Sequence, residues 1–167
     1  EYTYDDRHNM TQAKSQNEVK TNYTYNSKGI PMQMSVESKD GDLKIGTKAT
    51  YYQNGNYVNT VTDANGEVSY YDYDLTKGLL KSSTINGQTT YYGYDEGTDR
   101  LETVSVPTEN GDVFTEYGYT NGMLTEIGHN GFEYNFEYND FGNALSTAIG
   151  NRTLMSYDYS VSDGKVR

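Results

Sequence analysis

The chain has no cysteine among its 167 residues, which removes disulfide bridges and thiolate metal ligands together. No run of 18 or more apolar residues occurs, so nothing reads as a membrane-spanning helix and no membrane insertion is expected. Lysine and arginine number 13, scattered with no two adjacent. A phosphate-binding surface needs them clustered, so nucleic acid is excluded as a partner. Leu, Ile, Val and Phe make up 27 of the 167 residues, a share at which a charged chain is suspected of disorder. The net charge of −11 and the mean hydropathy of −0.90 point the same way.

Nineteen tyrosines point the other way. Each buries on the order of 150–250 Å² of ring while its hydroxyl still reaches a partner, so a stacked aromatic ladder can stand in for an aliphatic core. Their spacing is regular. Tyr71 and Tyr73 are two apart and share one face of an extended chain. Asp74 follows, then Gly78, which permits a reversal at positive φ. A short run from Leu79 to Ile85 leads into Asn86-Gly87, the strongest two-residue hairpin signal. Tyr92-Gly93-Tyr94-Asp95 restarts the cycle.

Copies begin near positions 2, 23, 50, 71, 92, 117, 136 and 157, with steps of 21, 27, 21, 21, 25, 19 and 21 residues. Their aromatic positions are Tyr2/Tyr4, Tyr23/Tyr25, Thr50/Tyr52 in a degenerate copy, Tyr71/Tyr73, Tyr92/Tyr94, Tyr117/Tyr119, Phe136/Tyr138 and Tyr157/Tyr159. The accompanying turn residues are Gly29, Gly55, Asp74 with Gly78, Asp95, Gly122, Gly142 and Gly164. In the first copy Asn9 stands where the glycine is expected, and asparagine tolerates a left-handed conformation. A repeat already under way at residue 1 is most simply a segment of a longer array.

The pattern Y-x-Y-[DN]-x-x-G-x-L resembles the YD repeat of the Rhs, teneurin and toxin-complex families, and the resemblance runs along essentially the whole chain. It implies a long antiparallel strip that spirals into a hollow shell. In bacterial members that shell holds a C-terminal toxin or effector; in teneurins it is part of an adhesion receptor. The implied partners are further repeats and the effector of the same parent chain, in a secreted or cell-surface bacterial protein. The Asp-Pro self-cleavage motif of the bacterial shells is absent, since the prolines follow Ile30 and Val106. The resemblance carries over no catalytic residue.

Taken in order, Thr11 to Lys20 reads as a loose polar edge strand, and Met32, Met34 and Val36 alternate on one face of the next. Pro31 lacks a ladder donor and belongs beside a turn or at a bulge. Pro107 lengthens one connection. Phe132, Tyr134, Phe136 and Tyr138, with polar residues between them, form the clearest strand, and Met155, Tyr157 and Tyr159 repeat the idea. No window shows helical periodicity. The expected fold is all-β: an open, twisted antiparallel meander of repeated hairpins without substantial helix, residues 1–167 forming one array of about eight repeats. Two strands per repeat give about 16 strands and a strip on the order of 75 Å long, at most half a turn around a passenger of ~100 residues.

Chemistry is sparse. His8 and His129 lie in or beside expected turns, and no hydrolase, zincin or P-loop motif is present. Asp72 and Asp74 share a face and could be cast as a glycosidase pair, but Asp74 suits a turn acceptor and Asp72 suits solvent. Asp63-Ala64-Asn65-Gly66-Glu67 resembles part of a calcium loop without its remaining acidic ligands; a turn fits it better. Asn9, Asn22 and Asn151 open N-x-T triplets, as chance supplies among 16 asparagines. No catalytic, cofactor-binding or metal residues are assigned. The functional expectation is a non-enzymatic scaffold; the alternative is a glycan-binding surface of exposed tyrosines, with a hydrolase third. Edge strands near Tyr2 and Tyr157 are expected to self-associate.

Overall fold

A computed structural model describes residues 1–52 and 55–159. It is all-β, with no helix among the described residues. The chain divides into two compact units, Glu1–Thr89 and Thr90–Arg167. The first unit contains β1 (Tyr2–Tyr4), β2 (Met10–Lys14), β3 (Lys20–Tyr25), β4 (Pro31–Glu37), β5 (Lys44–Tyr51), β6 (Val58–Thr62), β7 (Val68–Asp74) and β8 (Leu79–Ile85). The second is built from β9 (Gln88–Tyr94), whose first two residues precede the division, β10 (Leu101–Val106), β11 (Val113–Thr120), β12 (Met123–His129), β13 (Phe132–Tyr138), β14 (Ala144–Ile149) and β15 (Arg152–Ser156). Within each unit every strand pairs antiparallel with its neighbour in the chain, giving an open meander. Fifteen strands lie among the described residues, close to the sixteen expected from the repeats.

The hairpin signals act where glycine chemistry places them. Asn86-Gly87, Asn121-Gly122 and Asn130-Gly131 each carry two successive positive φ angles, which match the right-handed twist of the strands they join. Pro31 opens β4, opposite Tyr25 and beside a register shift, so its missing donor costs no ladder bond. Thr11 to Lys20 is not one strand. β2 ends at Lys14, and the chain reverses through Ser15–Val19 with Glu18 at φ 64°. No glycine marks that reversal, which is why the sequence concealed it. The last strand also ends earlier than expected, at Ser156, so Tyr157 lies beyond it.

No hydrophobic residue is buried among the described residues; the most enclosed polar side chains are Ser35 and Ser83. Each unit is therefore a single layer whose tyrosines are half-covered by their neighbours. Two compact bodies of half the mass each would expose roughly 10,000 Å² together, whereas the chain exposes 11902 Å². At Gly46 the backbones close tightly, because a Cβ there would lie 2.7 Å from the Met34 carbonyl and 2.8 Å from the Ser35 Cβ.

Register separates the two faces of the second unit. One carries the rows Tyr92–Val104–Thr115–His129–Phe132 and Tyr117–Ile127–Tyr134–Ile149. The other carries Tyr91–Ser105–Phe114 and Gly93–Thr103–Glu116–Gly128–Glu133, with Glu126 between Gly118 and Asn135.

Position along the array should govern what a tyrosine contributes. Tyr2 and Tyr4 are 66% and 60% exposed, whereas Tyr92 and Tyr94 are half-buried. In an open meander with local contacts, replacing Tyr92 and Tyr94 together by Ala is expected to cost about 2–4 kcal/mol in urea unfolding. The same pair of changes at Tyr2 and Tyr4 should cost tenths. Equal losses at both positions would indicate a closed, cooperative globule.

Candidate functional site: motif turns and tyrosine clamps

The recurring motif builds a joint. Seven register shifts fall beside the second aromatic position of a repeat, at Tyr4, Tyr25, Tyr51, Tyr73, Tyr94, Tyr119 and Tyr138. At each, one extra residue on the following strand interrupts the ladder and leaves backbone groups there unpaired.

Tyrosine hydroxyls of the next repeat complete four of these sites. Tyr25 donates to the Met10 carbonyl at 2.9 Å, Tyr51 to Pro31 at 2.8 Å, Tyr119 to Leu101 at 3.0 Å and Tyr159 to Ala144 at 2.8 Å. The four acceptors stand opposite the second tyrosine of the preceding repeat: Tyr4, Tyr25, Tyr94 and Tyr138. One residue type thus supplies both a half-buried ring and the donor that a bulge requires.

These contacts also correct the third copy. Tyr51, not Tyr52, takes the second aromatic position, since it adjoins the register shift and makes the clamp. Tyr52 takes the aspartate position: its carbonyl accepts from the Gly55 N–H at 2.7 Å, as Asn26 does from Gly29 at 3.0 Å. The degenerate copy therefore starts at Ala49, one residue earlier than the sequence suggested. Lacking a carboxylate, Tyr52 sends its hydroxyl to the Tyr71 carbonyl at 2.9 Å and stacks edge-on against Tyr73, with Tyr57 on the same ring. Burial, then the neighbouring Asp72, raises the Tyr52 phenol, and burial raises Tyr73.

In five copies the aspartate or asparagine after the aromatic pair closes the turn with its own Oδ1. Asp5 accepts from the N–H of Arg7 and Asn9, Asn26 from Lys28 and Ile30, and Asn139 from Phe141 and Asn143, at 2.8–3.0 Å. Asp74 accepts from Thr76 and Lys77 at 2.9 and 3.1 Å, and Asp95 from Gly97 and Thr98 at 3.2 and 2.8 Å. Gly29, Gly55, Gly78, Gly122 and Gly142 all have φ between 74° and 85°. In the first copy the left-handed residue is His8 at φ 66°, not Asn9; Asn9 instead donates its side-chain amide to Asp5 Oδ2 at 3.0 Å. Asp99, at φ 55°, stands where Gly78 does in the copy before it.

Successive turns also touch. The Arg7 guanidinium donates to the Ser27 carbonyl, Asn9 lies over Gly29, Lys28 and Ile30 over Gly55, and Tyr57 over Gly78. In the second unit Arg100 lies over Gly122 and over the Tyr119 ring, 5.6 Å from its centroid, and Met123 lies over Gly142.

The remaining motif residues sit in strands: Tyr23 opposite Met34, Tyr71 opposite Ser83, Tyr117 opposite Ile127 and Phe136 opposite Thr147. The Tyr157 hydroxyl meets Met155 Sδ at 3.5 Å, and Gly164 lies outside the described residues. Asp72 is paired with Lys81 at 3.4 Å and lies 3.3 Å from the Tyr52 hydroxyl, while Asp74 is engaged by its turn. Asp63 Oδ1 accepts from Asn65 and Glu67 N–H at 2.8 and 2.9 Å. His129 Nδ1 lies 2.7 Å from Thr115 Oγ1. No group of three or more His, Asp or Glu side chains is gathered as a metal ion would need among the described residues.

No family model matches the chain, and no curated protein matches it significantly. Among solved structures it is similar to TcdB2-TccC3, at 12% identity and a TM-score of 0.34 over 95% of this chain. It is also similar to TcdB2-TccC3 without its hypervariable C-terminal region, at 12% identity and 0.35, and to the Photorhabdus luminescens Tc holotoxin pore, at 12% and 0.33. The chain spans 12% of the length of each. Likenesses of that strength carry no argument about function.

Two outcomes follow. Tyr25→Phe and Tyr119→Phe should each cost about 1 kcal/mol in denaturant unfolding, with additive losses in the double variant because the sites are far apart. Acid should also weaken the turns. The Thr98 hydroxyl and amide lower the Asp95 carboxyl, the Asn9 side chain and amide lower Asp5, and the Lys77 and Thr76 amides lower Asp74. A depressed folded-state value means stability present above the ordinary carboxylate range and lost as pH falls through the folded value. The urea midpoint should drop below about pH 4. Asp95→Asn should keep its turn, as Asn26 and Asn139 keep theirs, and reduce that drop.

Proposed function

We propose that the chain is a structural scaffold, a segment of a YD-repeat shell wall in a larger secreted or cell-surface bacterial protein. Its partners are further repeats and a C-terminal effector of the same parent, which the wall encloses or presents, and it is not an enzyme. The observation carrying this reading is the clamp: the second tyrosine of one repeat donates to the bulge of the repeat before it, so side chains that could do chemistry are used to join repeats. Asp5, Asp74 and Asp95, the carboxylates with the best-defined environments, are spent on their own turns.

A second reading, glycan binding, is favoured by one feature. In the second unit Tyr91 and Phe114 are 49% and 50% exposed on one face, while on the other Phe132 is 61% exposed and Tyr92, Tyr117 and Tyr134 are half-buried. Exposed rings beside carboxylates and hydroxyls can stack on a sugar.

Removing one whole interior repeat, residues 71–91, tests the scaffold. The register either side is equivalent, so the shortened chain should keep its β-sheet circular dichroism and lose stability in proportion to the missing neighbours. Complete unfolding on that deletion would rule out a repeat scaffold. Glycan-array signal lost on Phe114→Ala would favour the second reading instead.

A further inference from the structure

We propose that the cavity bounded by Asp95, Arg100, Glu102, Tyr117 and Tyr119 binds a small zwitterion, an α-amino acid being the simplest ligand of that class. The inference goes beyond both readings above. A scaffold assigns no ligand, and Tyr91 and Phe114 lie on the opposite face from Tyr117.

The cavity encloses 310 Å³, near the lower bound of about 300 Å³ for ligand pockets, so it takes a small molecule. Its lining carries opposite charges that do not meet: among the described residues neither Arg100 nor Glu102 is ion-paired. The repeat itself positions each of them. The Arg100 guanidinium lies over the Tyr119 ring, 5.6 Å from its centroid, and 3.0 Å from where a Gly122 Cβ would stand. Neither contact uses a hydrogen bond, so the donors of its planar fork stay available to a ligand. Glu102 is the extra residue of its bulge, between Leu101 opposite Tyr94 and Thr103 opposite Gly93. In the preceding copy that place belongs to Lys81, which pairs with Asp72 at 3.4 Å. Here the counterpart of Asp72 is Gly93, so β9 offers the Glu102 carboxylate no side chain. Asp95 is already engaged, its Oδ1 accepting from the Gly97 and Thr98 amides and the Thr98 hydroxyl.

Charge decides the class of ligand. An anion would gain Arg100 and meet Glu102 and Asp95; a cation would gain the carboxylates and meet Arg100. An apolar molecule would strip water from both heads and return no hydrogen bond. A molecule with ammonium and carboxylate on one carbon answers both heads together. Its carboxylate takes the guanidinium fork, its ammonium takes Glu102, and the rest of it lies against the Tyr117 ring. Arg100 and Glu102 are exposed, so screening by water holds the affinity to the millimolar range.

Amide-resolved NMR titration of the full chain with glycine tests the site, against N-acetylglycine, glycinamide and glycerol. Glycine should shift the amides of Arg100, Glu102 and Tyr117 and saturate with a Kd of about 1–10 mM. N-acetylglycine lacks the ammonium and glycinamide the carboxylate, so each should bind about 10-fold more weakly. Glu102→Gln should erase the advantage of glycine over N-acetylglycine while leaving the urea midpoint unchanged. Glu126→Gln, on the opposite face, should leave that advantage intact. Amides that stay in place at about 50 mM glycine overturn the proposal. So does equal binding of N-acetylglycine or glycinamide, which would mean a site for one charge alone. Equal binding of glycerol also overturns it, pointing to hydroxyl recognition instead. The ligand comparison needs only the unaltered chain, so a variant that fails to fold does not blunt the test.

Discussion

The β-bulge that recurs beside the second aromatic position of seven repeats is the constraint around which this chain is built. A bulge beside every tyrosine pair would accumulate unsatisfied backbone, each such group costing about 1–3 kcal/mol if shut away from water. The tyrosine hydroxyl is the economical answer, because it sits at the end of a rigid ring long enough to cross from one strand to the next. Tyr25, Tyr51, Tyr119 and Tyr159 do this with nearly the same geometry in four repeats. The tyrosine pair is therefore not simply an aromatic substitute for leucine. Phenylalanine would fill the same space without the hydroxyl that reaches the carbonyl beside the bulge.

That division of labour explains how a layer without a buried hydrophobic residue holds its register. Slippage by one residue would move every ring to the opposite face and detach every clamp at once. The motif turns add a second lock, since in five of them the Asp or Asn Oδ1 accepts from backbone N–H groups of the reversal. Side chains such as Asn9 and Arg100 then bridge from one turn to the next within a unit. Ion pairs contribute little by comparison, because Lys39–Glu18 and Lys81–Asp72 are largely exposed.

Much of this was legible in the sequence because its signals are local. Asn86-Gly87 turns where the dipeptide says, and β13 runs from Phe132 to Tyr138 as strict alternation requires. The reversal at Glu18 escaped altogether, and in the first copy and the Asp95 turn the sequence did not show which residue is left-handed. His8, Glu18 and Asp99 adopt positive φ with no compositional mark, held there by neighbouring amide bonds. The third copy slipped by one position because Tyr51 and Tyr52 are adjacent and only the bulge decides which is the clamp. The clamps themselves were illegible, since their acceptors are backbone carbonyls 15 to 20 residues away.

The two faces of the second unit show what the repeat leaves free to vary. Turn and clamp positions are fixed by hydrogen bonding, so variation is confined to residues alternating between them. On β11 and β12 these read Glu116-x-Gly118 and Glu126-x-Gly128, and antiparallel pairing sets each glutamate opposite a glycine rather than a second glutamate. Like charges directly opposite would be destabilising; the glycine leaves each carboxylate room to reach water. The neighbouring hydrophobic positions cannot borrow that solution, because Ile127 pairs with Tyr117 and Tyr134 on a face with no polar side chain in the row. One face thus carries spaced carboxylates and the other carries the half-buried rings that neighbouring strands cover for one another. That asymmetry comes from the strand alternation itself, without any further element of structure.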